Sequence, residues 1–203
     1  MWNPTKVWPL PISLNTMTIT SRFGPRTITV NGVTQTQARH GAIDISAPAR
    51  TPVLSIDNGE VIKTVDDHPT AGGYVEVLHG NGHTSRYLHL NEIQTRVGAK
   101  VKTGQQIALS GGGAGMKGAG SSTGPHLHLE IWKGVPYSSG SHLVDPEPYL
   151  LELAAGKLKR LIERNSALIL FSMGVGLVGY SILEAPAPEP VRANSRRLVT
   201  VTR

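Results

Sequence analysis

The stretch His126-Leu127-His128-Leu129-Glu130-Ile131 alternates strictly between polar and aliphatic side chains. A period of two predicts a β-strand with one buried face, so its three aliphatic residues should enter a hydrophobic core. The opposite face would carry His126, His128 and Glu130. Polar faces of structural strands normally hold threonine, serine, lysine or glutamate. Two imidazoles in one row therefore indicate a site of chemistry on this side of a sheet.

The residues that precede this strand, from Thr18 onward, also favour β-structure. Short runs of strand-forming residues stop at turn signals, as where Thr27–Val30 precedes Asn31-Gly32 and Val53–Ile56 precedes Asp57-Asn58-Gly59. The 23 glycines suit a turn-rich chain, and no helical period competes in this part of it. We therefore predict a mainly β domain built on an antiparallel sheet.

One hairpin register can be predicted from the dipeptide Asn81-Gly82, because a type I′ turn requires positive φ at both central residues. The two strands would then pair Leu78 with Ser85 and Tyr74 with His89. Alternation would place five residues on the polar face, namely Tyr74, Glu76, Ser85, Tyr87 and His89. Four residues would point to the other face, namely Val75, Val77, Leu88 and Leu90. The register thus predicts that His89 faces the polar side of the sheet.

His40 and Asp44 form a second candidate pair, four positions apart. In a fully extended strand their separation would be about 13 Å, which is too far for one metal ion. Gly41 and the aliphatic alternation that follows it argue against a helix. The chain must therefore bend at Gly41-Ala42 before it enters a strand, and such a bend can bring the two side chains together.

The donors available for a metal are histidine and carboxylate, because the chain contains no cysteine. The HxxxD pair, the HxH pair and His89 supply the nitrogen and oxygen ligands that zinc accepts. A catalytic zinc needs about three protein ligands and an open position, so five candidates suit catalysis better than a closed structural site. Spacing alone does not say which histidine of the HxH pair binds metal. The other histidines are predicted to be loop or turn residues: His68, His79, His83 and His142.

Five strings occur in order along residues 18–150. They are Ser21-Arg-Phe-Gly-Pro-Arg26, His40 with Asp44, Thr51-Pro-Val53 with Asn58-Gly59, Tyr87-Leu-His89-Leu90, and Ser122-Thr-Gly-Pro-His-Leu-His-Leu-Glu-Ile131. Together they resemble the lysostaphin/LytM-type zinc metalloendopeptidases. One departure is Ala42, since that family usually has glycine two residues after the first histidine.

The resemblance implies an antiparallel β domain with a groove over the sheet, followed here by a C-terminal helix. It implies Zn²⁺ ligands at His40, Asp44 and His128, with His89 and His126 as the catalytic pair. It also implies hydrolysis of peptide bonds in peptidoglycan, in cross-links or stem peptides, through metal-activated water. Which of the two catalytic histidines performs which proton transfer stays open.

Two further residues are predicted to lie near this centre. Glu130 shares the ligand face and would either orient a histidine through its other ring nitrogen or be a plain surface carboxylate. Tyr87 would support the centre or contact substrate.

Residues 111–124 are glycine-rich and predict a rim loop over the cleft. Gly113 to Gly118 matches a dinucleotide-binding pattern by letters, but no helix follows it, which argues against phosphate binding.

The pattern changes after residue 150, where apolar residues recur at helical spacing and residues 167–183 carry no charge. As a helix that segment would be about 25 Å long, just short of a bilayer core of about 30 Å. We predict an amphipathic and then hydrophobic helix over residues 151–184 that inserts in a membrane through 167–183. The alternative is a hydrophobic helix that docks on the domain or on a partner protein.

The net charge of +6 belongs largely to this C-terminal part. Residues 1–150 carry twelve Lys/Arg against ten Asp/Glu, whereas residues 151–203 carry eight against four. Residues 185–203 are predicted to be a Pro-rich linker with a basic tail. Such a tail would contact an anionic polymer or lipid, or would simply be solvated, and we predict no specific nucleic-acid partner.

The N-terminal residues 1–17 are predicted to be an irregular lead-in without a signal peptide, because prolines interrupt a short apolar run. A wall-cutting enzyme with a late hydrophobic segment then predicts a membrane-associated location at the cell wall, with a phage virion and its proteins as one setting. The alternative functions are a non-catalytic peptidoglycan-binding or activator module and a membrane-anchored virion structural protein.

Overall fold

The computed structural model describes residues 8–11, 17–30 and 33–172. The chain divides into two compact units, residues 1–163 and 164–203. The strands, the core and the candidate site described below all belong to the first unit. Of the second unit, residues 164–172 are described and are helical.

Within the described residues the chain forms twelve strands and one helix. The elements in chain order are β1 (Ile19–Ser21), β2 (Gly24–Val30), β3 (Val33–His40), β4 (Ile43–Ser46), β5 (Pro52–Leu54), β6 (Gly59–His68), β7 (Gly72–His79), β8 (His83–Ile93), β9 (Lys100–Val101), β10 (Gln106–Ser110), β11 (His126–Lys133), β12 (His142–Val144) and α1 (Pro146–Ser172).

Ten of these strands form one antiparallel sheet, whose main path runs β1-β4-β11-β8-β7-β6-β9. The strands β5, β10 and β12 attach beside this path, and β2 with β3 forms a separate hairpin. The predicted mainly β, antiparallel fold is confirmed. Because β11 lies between β4 and β8, it brings their side chains to the same place. His128 pairs with Asp44 on one side and with Leu88 on the other.

The alternation predicted for β11 is confirmed. Leu127, Leu129 and Ile131 have no exposed surface and join the main hydrophobic core. Each such side chain contributes on the order of 1.5–3 kcal/mol to stability through burial. Trp8 and Leu10, from the predicted lead-in, also pack into this core, which lies on the face of β11 opposite the histidines.

The register predicted for the β7–β8 hairpin is wrong by one residue. Leu78 pairs with Thr84 rather than with Ser85, because the loop between the strands contains three residues, Gly80–Gly82, instead of two. Gly82 has a φ of 79°, and its N–H donates to the carbonyl of His79 at 3.0 Å. This is a three-residue loop that ends in a left-handed glycine. Ser85 therefore faces the core.

A bulge in β8 then returns His89 to the predicted face. Gly73 pairs with Leu90 but Val75 pairs with Tyr87, so β8 contains one extra residue at this point. His89 occupies the left-handed region with a φ of 60°, a conformation that non-glycine residues rarely adopt. The shifted register also places Leu88 on the groove face, contrary to the prediction, where it joins a small cluster with Tyr74.

The helix α1 begins at Pro146, earlier than residue 151, where the spacing placed its start. Asp145 caps it, because its Oδ1 accepts the N–H of Glu147 at 3.1 Å. Proline fits the first helical position, since no intrahelical acceptor is available for an N–H there. Leu150 is fully buried in the core, and Lys157 Nζ lies 2.5 Å from Asp57 Oδ1.

Among the described residues, no helix is both long enough and apolar enough to span a bilayer. Residues 173–183, most of the segment for which we predict membrane insertion, lie outside the described residues, as does the linker and tail over 185–203. Membrane association therefore stays a prediction.

Candidate active site

Three strands of the sheet, together with β3 of the separate hairpin, bring the five predicted site residues to one face of the sheet. β3 ends with His40, β4 carries Asp44, β8 carries His89, and β11 carries His126 and His128. The predicted bend between the first two is confirmed, because the two residues between β3 and β4 belong to neither strand. The side chains of His40 and Asp44 thereby reach the same point.

His40, Asp44 and His128 converge closely enough to hold one metal ion. Oδ1 of Asp44 lies 2.8 Å from Nδ1 of His128 and 3.4 Å from Nε2 of His40. The two histidine nitrogens are 3.4 Å apart. Two imidazole nitrogens and one carboxylate oxygen form a ligand set that zinc accepts, and it leaves a fourth position open. The donors brought together here are the three that we predicted as metal ligands.

Neighbouring groups fix how His40 and Asp44 point. Nδ1 of His40 donates to the carbonyl of Arg22 at 3.0 Å, so its Nε2 presents a lone pair to the cluster. The Arg26 guanidinium lies 3.1 Å from Oδ2 of Asp44 and leaves Oδ1 for the cluster. His40 and Asp44 are 4% and 8% exposed, whereas His128 is half-buried, so the cluster meets water mainly on the side of His128.

His89 and His126 lie beside the cluster, with ring centroids 4.9 Å apart. Each donates its Nδ1–H to a backbone carbonyl at 2.8 Å, His89 to Ala119 and His126 to Gly124. Both carbonyls belong to the glycine-rich loop. With Nδ1 protonated, Nε2 of each ring is the basic nitrogen. Nε2 of His126 lies 3.6 Å from Oδ1 of Asp44.

The environment sets the charge of these groups. Burial raises the pKa of Asp44, but hydrogen bonds with His128 and His40 outweigh burial and hold its pKa below the ordinary value. Burial, with the neighbouring His128 and His126, lowers the pKa of His89 to about 4. At neutral pH the site thus holds an ionised carboxylate beside a neutral imidazole.

A groove of about 860 Å³ runs over this face of the sheet, as predicted. Asp44, His89, His126 and His128 line it, together with residues of the glycine-rich loop such as Ser122. The loop therefore forms one rim of the groove and also orients the two histidines beside the cluster.

Residues 38–146, more than half of the chain, match the model of Peptidase family M23. The chain belongs to this family. The predicted resemblance to lysostaphin/LytM-type enzymes is thereby confirmed. The M23 chain is 43% identical over 113 residues to peptidoglycan DD-endopeptidase ShyA of Vibrio cholerae, which covers 56% of this chain and 24% of that protein. It thus spans about a quarter of the length of this curated relative.

Solved structures agree with the fold. The catalytic domain of lysostaphin from Staphylococcus simulans matches with a TM-score of 0.55 and 29% identity, over 68% of this chain and 94% of that domain. A zinc-containing peptidase from Vibrio cholerae matches with a TM-score of 0.50 and 37% identity, over 62% of this chain and 35% of that protein.

Tyr87 of the M23 domain faces the core and does not line the groove, contrary to the predicted contact with substrate. It has no exposed surface, and its hydroxyl accepts the N–H of Ile56 at 3.0 Å and lies 3.0 Å from the hydroxyl of Ser85. Burial raises the pKa of this phenol to about 12. The cause of the difference is the three-residue hairpin loop, which turns Tyr87 into the core.

Arg86 is one of the groove residues that the sequence prediction missed. It lines the groove and pairs across the sheet with Glu76 on β7 and Glu130 on β11. Glu130 is buried, which excludes a plain surface carboxylate, and its Oε1 lies 3.5 Å from Nε2 of His128. The hairpin register could have revealed Arg86, because a three-residue loop places Arg86 opposite Glu76.

The four other histidines, predicted to be loop or turn residues, each lie at the end of a strand instead, and none of them belongs to the metal-ligand cluster. His68 lines the groove, where its Nδ1 accepts the N–H groups of Thr70 and Ala71 at 3.2 Å each. His79 ends β7 and is buried, and burial lowers its pKa. His83 and His142 are the first residues of β8 and β12.

Proposed function

We propose that this chain is a zinc-dependent endopeptidase that hydrolyses peptide bonds of bacterial peptidoglycan, in cross-links or stem peptides. The main support is that Asp44 Oδ1, His40 Nε2 and His128 Nδ1 lie within 3.4 Å of one another on the wall of a groove. Support for the substrate comes from membership of family M23 and from the relative named peptidoglycan DD-endopeptidase.

Zinc bound by His40, Asp44 and His128 would supply a Lewis acid, which lowers the pKa of water from about 15.7 towards about 7. The chain's own residues handle the protons. His89 is neutral at pH 7, since burial lowers its pKa to about 4, and its Nε2 can accept a proton from the attacking water.

His126 presents a second basic nitrogen, Nε2, close to the same cluster. Either histidine, once protonated, can donate to the developing oxyanion or to the leaving amine. In the complete reaction a C–O bond forms from water, the peptide C–N bond breaks, and the proton taken from water ends on the amine. The groove holds the peptide in place for this transfer.

The test uses the full chain, loaded with zinc and incubated with bacterial sacculi. We expect new amino groups to be released, and we expect His128→Ala or a chelator to abolish the release. His142→Ala is the matched control, because His142 is exposed and lies outside the cluster. Activity that survives both His128→Ala and chelation would contradict the proposal.

The proposal extends to where the enzyme works, through membrane association of residues 167–183. Its support is the uncharged run in the sequence, with basic residues on both sides of it. The full chain should sediment with membranes and be released by detergent but not by concentrated salt. Release by salt alone would show electrostatic attachment and contradict membrane insertion.

A phage virion as the setting rests on the combination of a wall-cutting domain with a late hydrophobic segment. If that setting holds, the chain is present in purified phage particles as well as in infected cells. Mass spectrometry of such particles is the direct check, and particles that lack the chain would contradict it.

A further inference from the structure

A row of three buried charged residues lies across the sheet at the groove, and two of them, Arg86 and Glu130, line it. Glu76, Arg86 and Glu130 lie directly opposite one another on β7, β8 and β11. They are 3%, 6% and 9% exposed. Burying charges is costly unless their geometry and hydrogen bonds are well satisfied, so such a row requires closely defined positions.

Arg86 binds its two carboxylates in different ways. Its Nη1 hydrogen-bonds both oxygens of Glu130 at 3.2 Å. Its Nε lies 3.1 Å from Oε1 of Glu76, but without the alignment of a hydrogen bond. The guanidinium carbon also lies 4.5 Å from the ring centroid of Tyr74, at a distance typical of cation–π contact.

Glu130 receives a further hydrogen bond, from the indole N–H of Trp132 to Oε2 at 2.7 Å. Arg86 and Trp132 together fix the carboxylate in one orientation. In that orientation Oε1 of Glu130 lies 3.5 Å from Nε2 of His128.

His128 is oriented differently from the other three histidines of the site. His40, His89 and His126 each donate Nδ1–H to a backbone carbonyl. His128 instead directs Nδ1 to the cluster, 2.8 Å from Asp44, and its Nε2 faces the side chain of Glu130.

We propose that Glu130 is a positioning residue for the metal ligand His128, and that Arg86 holds Glu130 in place. The Glu130 carboxylate, 3.5 Å from Nε2 of His128, favours a proton on that nitrogen, which makes Nδ1 the nitrogen with the lone pair and turns it towards His40 and Asp44. The inference rests on the proposed zinc site but concerns residues that do not bind zinc themselves.

Glu130→Gln tests this directly, with Glu76→Gln as the matched control. Both changes remove one buried carboxylate next to Arg86, but Glu130 is the one beside His128. Zinc affinity of the full chain is measured by competition with a chromophoric chelator. We expect a loss of about 10- to 100-fold for Glu130→Gln and less than about twofold for Glu76→Gln.

Equal losses in the two variants would assign Glu130 a merely structural role and overturn the inference, and so would an unchanged affinity in both. If the wild-type chain bound no zinc at all, that result would contradict the proposed zinc-dependent function itself. Tight zinc binding by both wild type and Glu130→Gln would refute only the role of Glu130.

Arg86→Lys tests the second part, since lysine keeps the charge but loses the planar donor geometry. Alone it should weaken zinc binding by about fivefold. In the Glu130→Gln background it should cause little further loss of zinc affinity, because Arg86 acts on His128 through Glu130. Additive losses of zinc affinity would contradict the inference that Arg86 acts through Glu130. Should Glu130→Gln fail to fold, Trp132→Phe removes one donor to Glu130, and unchanged zinc affinity in that variant would overturn the inference.

Discussion

Two halves of the site rest on different kinds of backbone. Asp44 and His128 lie opposite each other on the regular strands β4 and β11. His89 and His126 depend on irregular structure: His89 lies in a β-bulge at a φ of 60°, and both donate to carbonyls of the glycine-rich loop. The proposed metal ligands Asp44 and His128 thus depend on the regular sheet, whereas the proposed proton-transfer residues depend on a bulge and a loop, and the two proposed roles should be separable by mutation.

The largest effect is expected from the sheet half. Asp44→Asn removes the charged oxygen that lies near both ligand histidines. We expect zinc to be lost and sacculus hydrolysis to fall by at least about a thousandfold, since a bound metal contributes several kcal/mol to the transition state. Metal content by mass spectrometry and amino-group release are measured on the same sample. A variant that keeps zinc and full activity would contradict the assignment of Asp44.

The loop half should behave differently. His126→Ala removes a proton-transfer group but none of the three predicted ligands. Activity should fall by about a hundredfold while zinc content stays near that of the wild type, because general acid–base catalysis contributes about this much. The same pair of measurements applies to His89→Ala. Loss of zinc together with activity in either variant would contradict the separation of metal binding from proton transfer.

The loop itself can be tested through its glycines. A Cβ at Gly118 would lie 1.9 Å from the carbonyl oxygen of Leu90, next to the bulge, whereas a Cβ at Gly115 would meet nothing within 4 Å. Both glycines have positive φ. Gly115→Ala should therefore cost only the conformational strain, about 1 kcal/mol, and Gly118→Ala about 3 kcal/mol because the backbone must also shift.

Urea unfolding of the two alanine variants measures the difference in stability. Gly118→Ala should also lower activity, because the loop orients His89 through Ala119. Equal stabilities would mean that the loop is not closely packed on β8, and would remove the physical basis for its role in orienting the histidine.

The smallest expected effect lies on the opposite face of the sheet and involves no metal. His79 is buried, its Nδ1–H donates to the carbonyl of Asn58, and its Nε2 faces the hydroxyl of Ser85. Burial lowers its pKa below the ordinary value of 6.5. The unfolded chain therefore binds a proton more readily than the folded chain, so this contribution to stability is present above pH 6.5 and is lost as the pH falls.

His79→Gln should make the acid-side loss of stability shallower, as measured by thermal unfolding across a pH series. His142→Gln is the control, since that side chain is exposed and should leave the pH dependence unchanged. An identical slope for His79→Gln and the wild type would show that His79 titrates alike in the folded and unfolded chains.

The two halves also differ in how far the sequence predicts them. The alternation from His126 to Ile131 specifies both faces of β11, and the structure confirms it because one face is buried and fixes the register. The bend after His40 was likewise predictable, since Gly41 interrupts the alternation. The three proposed metal-ligand positions therefore follow from local pattern together with the family resemblance.

The irregular half could be predicted less well. Gly80-Asn81-Gly82 permits both a two-residue and a three-residue loop, and the choice moves every side chain of β8 to the other face. No residue near His89 marks the bulge that compensates for this shift. The prediction that His89 faces the groove is confirmed, although the register used to derive it is wrong. The same register error left Arg86 out of the predicted groove residues and placed Tyr87 on the wrong face of β8.

The position of the metal tests the central claim most directly, because two groups of three side chains within the described part of the chain lie close enough to hold an ion. They are His40 with Asp44 and His128, and His89 with His126 and His128. Anomalous diffraction at the zinc edge from crystals of the zinc-loaded chain locates the ion. The account predicts a peak among His40, Asp44 and His128, with His89 and His126 free to move protons. A peak among His89, His126 and His128 would contradict it.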